Sequence, residues 1–434
     1  MPGKFVPIEV FARIKPVCAD KAGGGRSEKG ITSFDENGSV ECGSTIGGKA
    51  GSKSYSHFSA VIPPDATNQA FAYEKIAAPR VAKWLEGYNV DVICYGQTGS
   101  GKTYTMFGPP HSMAAASSTL GDGGKGTISS AGVMKEDYGF ILRTGFEALG
   151  ALERINSSPG RRAVLHASMV EMSIMSFTIQ GVLDLLNKNK PCHVDKTGTT
   201  TGAVLVPIRC THDLVKMAAR VETRITRGTK MNDSSSRSHC MTVFTLSVLD
   251  GAQFRQSRLQ YFDLMGSERF KGNNAAHDAS KSSKSTLAGW EGIFSNFSLM
   301  GLGEAVREAA EARRKGKKPM RGMQNVLTSM LKDSLQGHAL TTMITCLSVS
   351  ERNGAESVLA VQYSFDMARL LNNPQKQREK PLGHAIKKVK DELKRIKAIV
   401  QRGVAGKYQA LRSAQLSGLE TKLGILKELK DGAS

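Results

Sequence analysis

Apolar and polar positions are grouped along this chain in ways that predict its elements before any chemistry is considered. IEVFARIKP (8–16) mixes β-branched and apolar residues in partial alternation until Pro16 stops it, which predicts an early strand. NQAFAYEKIAAPRVAKWLEGYN (68–89) carries Phe71, Ile76, Val81 and Leu85 at helical spacing and has Gly87 near its end, so a helix is expected there. VDVICYG is apolar apart from Asp91 and too short for a core helix; it reads as a fully buried strand. RAVLHASMVEMSI (162–174) predicts a strand, and MTVFTLSVLDGAQFRQSRLQYFDLMG (241–266) a hairpin turning near Gly251. Strands and helices interleave, so the class is α/β, with a mixed central sheet flanked by helices on both faces.

Two stretches break this pattern. Residues 109–135 are rich in Ser, Gly and Ala and predict a surface loop. From residue 375 the character changes: PQKQREKP reads as a polar linker, separating a domain of 1–374 from a helical segment of 375–434. In that segment Ile386, Val389, Leu393, Ile396 and Val400 recur every three or four residues. Leu416, Leu419, Leu423 and Leu426 repeat the pattern after Gly403 and Gly406. Such a seam serves a coiled coil, hence a homodimer, which is favoured here over an amphipathic helix docked on the chain's own body.

Composition narrows the class. The 434 residues are 40% hydrophobic and 23% charged, which suits a large folded domain. Seven scattered cysteines form no CxxC pair, so neither a disulfide framework nor a zinc site is signalled, and a cytoplasmic setting is expected. The start, MPGKFVPIEV, lacks the plan of a signal peptide, and no apolar run approaches spanning length, so no membrane role is expected. A net charge of +20 attracts an acidic partner. No basic motif is interleaved with aromatics, which argues against nucleic acid.

The candidate chemistry begins at GQTGSGKT, residues 96–103, directly after the buried strand. Its glycines let consecutive backbone N–H groups turn inward around phosphate, and the next helix would point its positive end there. Lys102 would neutralise phosphate charge and the Thr103 hydroxyl would ligate Mg²⁺. DLMG then places Asp263 at the end of an apolar strand, where an acid can hold the Mg²⁺ shell, and Gly266 could offer its N–H to a γ-phosphate. No NKxD guanine-reading motif exists, since NKNK (187–190) lacks the aspartate, so ATP is favoured over GTP. The NDSSSRSH loop (232–239) supplies hydroxyls and an arginine, parts that phosphoryl transfer uses.

Taken in order, Arg13-Ile-Lys15-Pro16, GQTGSGKT, NDSSSRSH and DLMGSER resemble the kinesin motor domain, as do TNQAFAYEK, LTSMLKDSLQG (327–337) and VLAVQYSFDMARLLNNP (358–374). The resemblance spans roughly residues 8–374. It implies a P-loop NTPase that hydrolyses ATP with Mg²⁺ and moves on microtubules. It implies that Arg13, Pro16 and Tyr104 flank adenine, while Gln97, Thr98, Gly99, Ser100, Gly101, Lys102 and Thr103 hold the phosphates. Ser235 would place the attacking water, Ser236 would touch Mg²⁺ and γ-phosphate, and Arg237 would pair with Glu268 only when γ-phosphate is bound.

The track-facing half departs from the family. An NKSL-type motif reads Asn296-Phe297-Ser298-Leu299 here, and a PYRDSKLT-type loop is reduced to Pro319, Arg321 and Leu327-Thr328. Basic clusters fall nearby, at Lys271, Lys281 and Lys284 and at Arg313, Arg314, Lys315, Lys317, Lys318 and Arg321, where an acidic microtubule surface would approach. A nucleotide-binding but non-motile microtubule-associated protein is the alternative these departures keep open. A P-loop enzyme acting on GTP or a small molecule is a third.

Overall fold

The computed structural model describes residues 5–16, 30–46, 49–64, 68–109, 135–173, 181–195, 198–225, 238–267, 283–317, 325–349, 354–402 and 407–432. The 109–135 loop therefore lies almost wholly outside the described residues, as do residues 226–237 and 268–282.

The early strand is β2 (Glu9–Lys15), preceded by a short β1 (Val6–Pro7). A three-stranded antiparallel sheet follows, of β3 (Ile31–Asp35), β4 (Ser39–Ile46) and β5 (Lys49–Tyr55), and then β6 (Ala60–Ile62). The helix expected over 68–89 is two helices, α1 (Gln69–Ile76) and α2 (Ala78–Glu86), hinged at Ala77. Pro79 is the reason: it has no N–H to extend α1, but it suits the first turn of a new helix.

β7 (Val90–Tyr95) is buried at every position and runs into α3 (Lys102–Phe107). α4 (Phe140–Asn156) leads to β8 (Arg161–Met172), and β9 (Gly181–Asp184), β10 (Lys190–Val194), β11 (Thr200–Thr201) and β12 (Val206–Pro207) form a small lobe beside it. Next come α5 (Thr211–Ala218) and α6 (Arg220–Ile225). The expected hairpin is β13 (His239–Asp250) and β14 (Gln253–Asp263), turning at Gly251. The long α7 (Ser283–Arg314), α8 (Val326–Met330), α9 (Lys332–Leu335), β15 (Leu340–Ser348) and α10 (Gly354–Ala368) complete the body.

The main sheet runs β11-β10-β9-β8-β13-β14-β7-β15-β2-β6. Its centre is parallel, with β7 between β14 and β15, while β13 runs antiparallel to both of its neighbours, β8 and β14. One apolar layer joins the sheet to α1–α5 through Trp84, Phe140, Leu149 and Phe244. The other joins it to α7–α10 through Phe262, Leu302, Val306 and Val361. Helices thus cover both faces, as a parallel sheet centre requires.

The 375–381 linker is not loose. Leu371–Asn372 (β16) pairs with β1, and Lys380–Pro381 (β17) pairs with the start of β14. Beyond it α11 (Leu382–Gln401) and α12 (Lys407–Asp431) pack on each other and fold back on the sheet. Val389, Leu393, Ile425, Leu426 and Leu429 meet Val164, Leu249 and Phe254 of β8, β13 and β14. Of the two uses open to the apolar seam, docking on the chain's own body is the one realised.

Candidate nucleotide site

The register of the central strands builds the site. Asp263, last in β14, lies opposite Cys94 of β7, so an acid emerges beside the strand that launches the glycine-rich loop. This is the carboxyl end of parallel strands, where open α/β sheets bind ligands. The loop's shape needs its glycines at two points in particular. Gly96 has φ 144°, and a Cβ there would sit 2.3 Å from the Cys346 carbonyl oxygen; Gly101, the residue capping α3, has φ 103°.

Within the loop, Lys102 Nζ donates to the carbonyls of Gly96 (2.9 Å) and Gln97 (2.8 Å). Thr103 donates its hydroxyl to Asp263 Oδ2 at 2.8 Å. The other oxygen, Asp263 Oδ1, is buried with no hydrogen-bond partner among the described residues, and so are Gln97 Nε2 and Ser100 Oγ. Orphaned acceptors and donors of this kind around a glycine nest fit a phosphate chain with a hydrated divalent cation. A nucleotide's phosphates with Mg²⁺ would therefore suit the residues present: Lys102 could meet phosphate charge, Thr103 the cation and Asp263 its water shell.

The residues expected to flank the base also converge. Arg13 Nη1 donates to Gln69 Oε1 and Thr105 Oγ1, both at 2.9 Å, and its guanidinium lies 5.6 Å from the centre of the Tyr104 ring. Gln69 Nε2 donates to the Tyr104 carbonyl, and Lys15 Nζ to the Gly99 carbonyl at 2.8 Å. Tyr104 itself is 38% exposed, leaving a ring face open for stacking. Pro16 follows β2 at its exposed end.

Sequence reasoning missed Arg224. It is fully buried at the end of α6 and donates to Asp263 Oδ2 (3.0 Å) and Ser238 Oγ (3.0 Å), with Glu171 at 3.8 Å. Ser238 in turn donates to Glu171 Oε1 at 2.8 Å. Nothing in RVETRI distinguishes a buried arginine from a solvated one.

His239 was also missed. Burial, with the Arg224 and Lys102 cations adding to it, pushes its pKa down to about 3, so the imidazole is neutral. Its Nδ1 accepts from the Met265 N–H at 3.2 Å, which leaves Nε2–H to donate to Ser298 Oγ of α7 at 3.0 Å. The segment after Asp263 is tied to the loop as well, through Leu264 N to Cys94 O (3.1 Å) and Ser267 N to Gly96 O (3.2 Å). Gly266 is buried within this segment.

Several expected residues lie outside the described residues: Ser235, Ser236, Arg237, Glu268, Lys271, Lys281, Lys318 and Arg321. Lys284 falls in the first turn of α7. At the other end of that helix, Arg314, Lys315 and Lys317 are exposed and Lys315 pairs with Glu311 at 2.6 Å. Arg313 is turned inward, onto the Gln336 carbonyl and 4.7 Å from the centre of the Phe5 ring.

Comparison with known proteins agrees with this arrangement. A family model described as the kinesin motor domain matches residues 13–370. A rice kinesin-like protein, KIN-12B, is 30% identical over 361 residues, covering 78% of this chain and 30% of the relative. Human KIF27 is 30% identical over 368 residues, covering 79% and 23%. The chain thus spans well under half the length of these relatives. Among solved structures, a fast kinesin has a TM-score of 0.65 at 22% identity, covering 86% of this chain and 94% of that one. A KIF14 dimer in complex with AMP-PNP and a microtubule has a TM-score of 0.66 at 22% identity, covering 86% and 97%. At that identity the structural likeness speaks for the fold.

Proposed function

Because this chain belongs to the kinesin motor-domain family, we propose that it is an ATP-hydrolysing, Mg²⁺-dependent microtubule motor whose nucleotide site controls the track-facing helix α7. The observation that carries the reading is the buried route from Asp263 through Arg224 and Ser238 to His239, and from His239 to Met265 and Ser298. It joins the phosphate loop, the segment after β14 and α7 by side chains that are themselves buried, so movement at one end must repack the other.

The residues divide the work. Arg13 and Tyr104 take the base, and Lys102 with the loop N–H groups takes the phosphates. Thr103 holds the cation, and Asp263, fixed by Arg224, orients the water bound to it. When bound, Mg²⁺ draws charge from the phosphates and aligns them for attack. Ser235, Ser236 and Arg237 with Gly266 and Glu268 complete the proposal as water-placing and γ-phosphate-sensing groups. Closing these segments on the γ-phosphate would pull on Met265 and His239 and so shift α7 through Ser298. Outside the nucleotide site, exposed Arg314, Lys315 and Lys317, with Lys271, Lys281, Lys284, Lys318 and Arg321, would meet the acidic microtubule, in a cytoplasmic, cytoskeletal setting.

A second reading has its own observation. Phe297 is 45% and Met300 57% exposed on α7, where a cation would serve an acidic track better. A nucleotide-holding protein that binds microtubules without walking fits that surface. Steady-state ATPase measured at low salt with and without microtubules separates the two. Stimulation supports the motor; nucleotide retention without stimulation supports the second reading. Preference for GTP over ATP in a competition assay would overturn the motor reading and favour a P-loop enzyme acting on GTP.

A further inference from the structure

Cys94 and Cys346 lie side by side beneath the phosphate loop, and the mechanism above uses neither. Cys94 stands on β7 two residues before Gly96, and Cys346 stands on β15, the parallel neighbour. Cys94 is opposite Ile344, so Cys346 is its diagonal neighbour on the same face. Their sulfurs are 3.4 Å apart, and both residues are buried. Cys94 Sγ is 3.8 Å from the Lys102 carbonyl, while Cys346 Sγ is 3.6 Å from Thr105 Oγ1 and stands in register with Arg13. The Cys346 carbonyl is the group against which Gly96 packs. The hydrogen bond from Cys94, against the opposing effect of burial, and then the Arg13 and Lys102 cations make Cys346 the more acidic thiol of the pair.

We propose that Cys94 and Cys346 form a reversible disulfide under hydrogen peroxide, a modification site that distorts the phosphate loop. The bond itself stands on the geometry; only its effect on nucleotide rests on the function proposed above. In the first step Cys346, as thiolate, attacks a peroxide oxygen. The O–O bond breaks, a sulfenic acid forms on Cys346, and the departing hydroxide takes up the thiol's proton as water. In the second step the Cys94 sulfur attacks the Cys346 sulfur. The S–S bond forms as S–OH breaks, and the hydroxyl leaves with the Cys94 proton as water. Two thiols lose two electrons and one peroxide becomes two waters. Closure draws the sulfurs from 3.4 Å to about 2.05 Å. Diagonal strand neighbours reach that distance only by moving backbone, and the backbone at hand is Gly96 and the carbonyl beneath it. A bridge closed under such constraint is readily reduced, as a regulatory one must be.

The test uses the full chain with Cys210, which is exposed, and Cys18, outside the described residues, replaced by serine. After peroxide treatment and alkylation, peptide mapping without reductant should recover a Cys94–Cys346 cross-linked peptide that dithiothreitol abolishes. Recovery of both thiols in alkylated form, or of a cross-link elsewhere, overturns the proposal without needing any variant of the pair. Titration with a fluorescent ATP analogue should show affinity falling about tenfold and returning on reduction. In Cys94→Ser and Cys346→Ser, peroxide should change affinity by less than a factor of about two relative to each variant's untreated value. A bridge that forms while affinity holds overturns the effect on the loop. An untreated chain that binds no nucleotide refutes the function proposed above, whereas peptide mapping still decides the disulfide.

Discussion

Replacing Arg224 with methionine keeps the bulk of the side chain and removes its charge, leaving the buried Asp263 and Glu171 carboxylates without their cation. The contacts to Asp263 at 3.0 Å, to the Ser238 hydroxyl at 3.0 Å and carbonyl at 2.5 Å, and to Glu171 at 3.8 Å all go. Removing one partner of a buried ion pair costs about 3–5 kcal/mol, because the remaining charge is stranded in a poor solvent. Set against a total stability of about 5–15 kcal/mol, that is a large share. At roughly 2 °C per kcal/mol for a chain of this size, the midpoint should fall by about 6–10 °C in thermal melts monitored by circular dichroism. The sign with pH follows from His239: Arg224 is one of the cations that hold its pKa down, so in the variant the imidazole takes up a proton more readily as pH falls, and the deficit relative to the parent should narrow below about pH 5. A deficit under about 1 kcal/mol at neutral pH would refute the claim that Arg224 neutralises this cluster.

Further outcomes follow from the same contacts. Lys102→Ala should abolish retention of a fluorescent ATP analogue, and turnover at the parent rate in that variant would sink the site assignment. Acid should unfold the parent chain in step with His239: its folded pKa of about 3 lies below the unfolded value, so its contribution is complete above about pH 6.5 and is lost on descending toward 3, by up to about 1.4 kcal/mol per pH unit. His57, pushed down to about 4 by burial, adds to that slope, while Asp91, pushed up to about 6 by burial, opposes it; His239→Asn should flatten the urea-measured slope. Charge reversal at Arg314, Lys315 and Lys317 should weaken microtubule co-sedimentation on the order of tenfold at low salt and reduce its salt dependence. Light scattering should find the full chain monomeric, because the seam that could pair copies is already covered, and Leu393→Ala should cost about 2–5 kcal/mol of local stability, read as lost amide protection across α11.

What was legible in the sequence is what local chemistry determines. The phosphate loop could be read because its turns demand glycines at fixed offsets, and β7 because a strand covered on both faces is apolar but for a single residue, Asp91. The hairpin was legible because Gly251 interrupts two apolar runs of matched length. Arg224 and His239 were not, since their roles come from residues far along the chain: Glu171, Asp263, Met265 and Ser298 reach them only once β8, β13, β14 and α7 are assembled. The linker misled for a related reason. QKQREKP is polar as written, yet Gln377 N–H bonds the Gly87 carbonyl, Arg255 pairs with Glu379 at 2.9 Å and Lys380–Pro381 pairs with β14. Backbone pairing asks nothing of side-chain polarity, so a docked edge segment and a free linker look alike on the page.

The C-terminal seam shows how the same limit bears on function. Spacing established an apolar stripe, and the sheet supplied its partner, because β8, β13 and β14 present Val164, Leu249 and Phe254 beyond the reach of α7–α10. Those strands are also the ones whose opposite ends carry Glu171, His239 and Asp263. The hairpin of α11 and α12 and the nucleotide site therefore grip the same strands from opposite ends. Prising the hairpin away would uncover one end of these strands while the buried charges hold the other, and β-sheets transmit twist along their strands. Substituting Leu426 and Leu429 by Asp should release α12 without touching the site. If the shared strands couple the two, nucleotide affinity in that variant will shift at least about threefold in titrations with the fluorescent analogue. Unchanged affinity, with α12 shown by amide exchange to be released, would mean that the strands are stiff enough to isolate the site from its C-terminal cover.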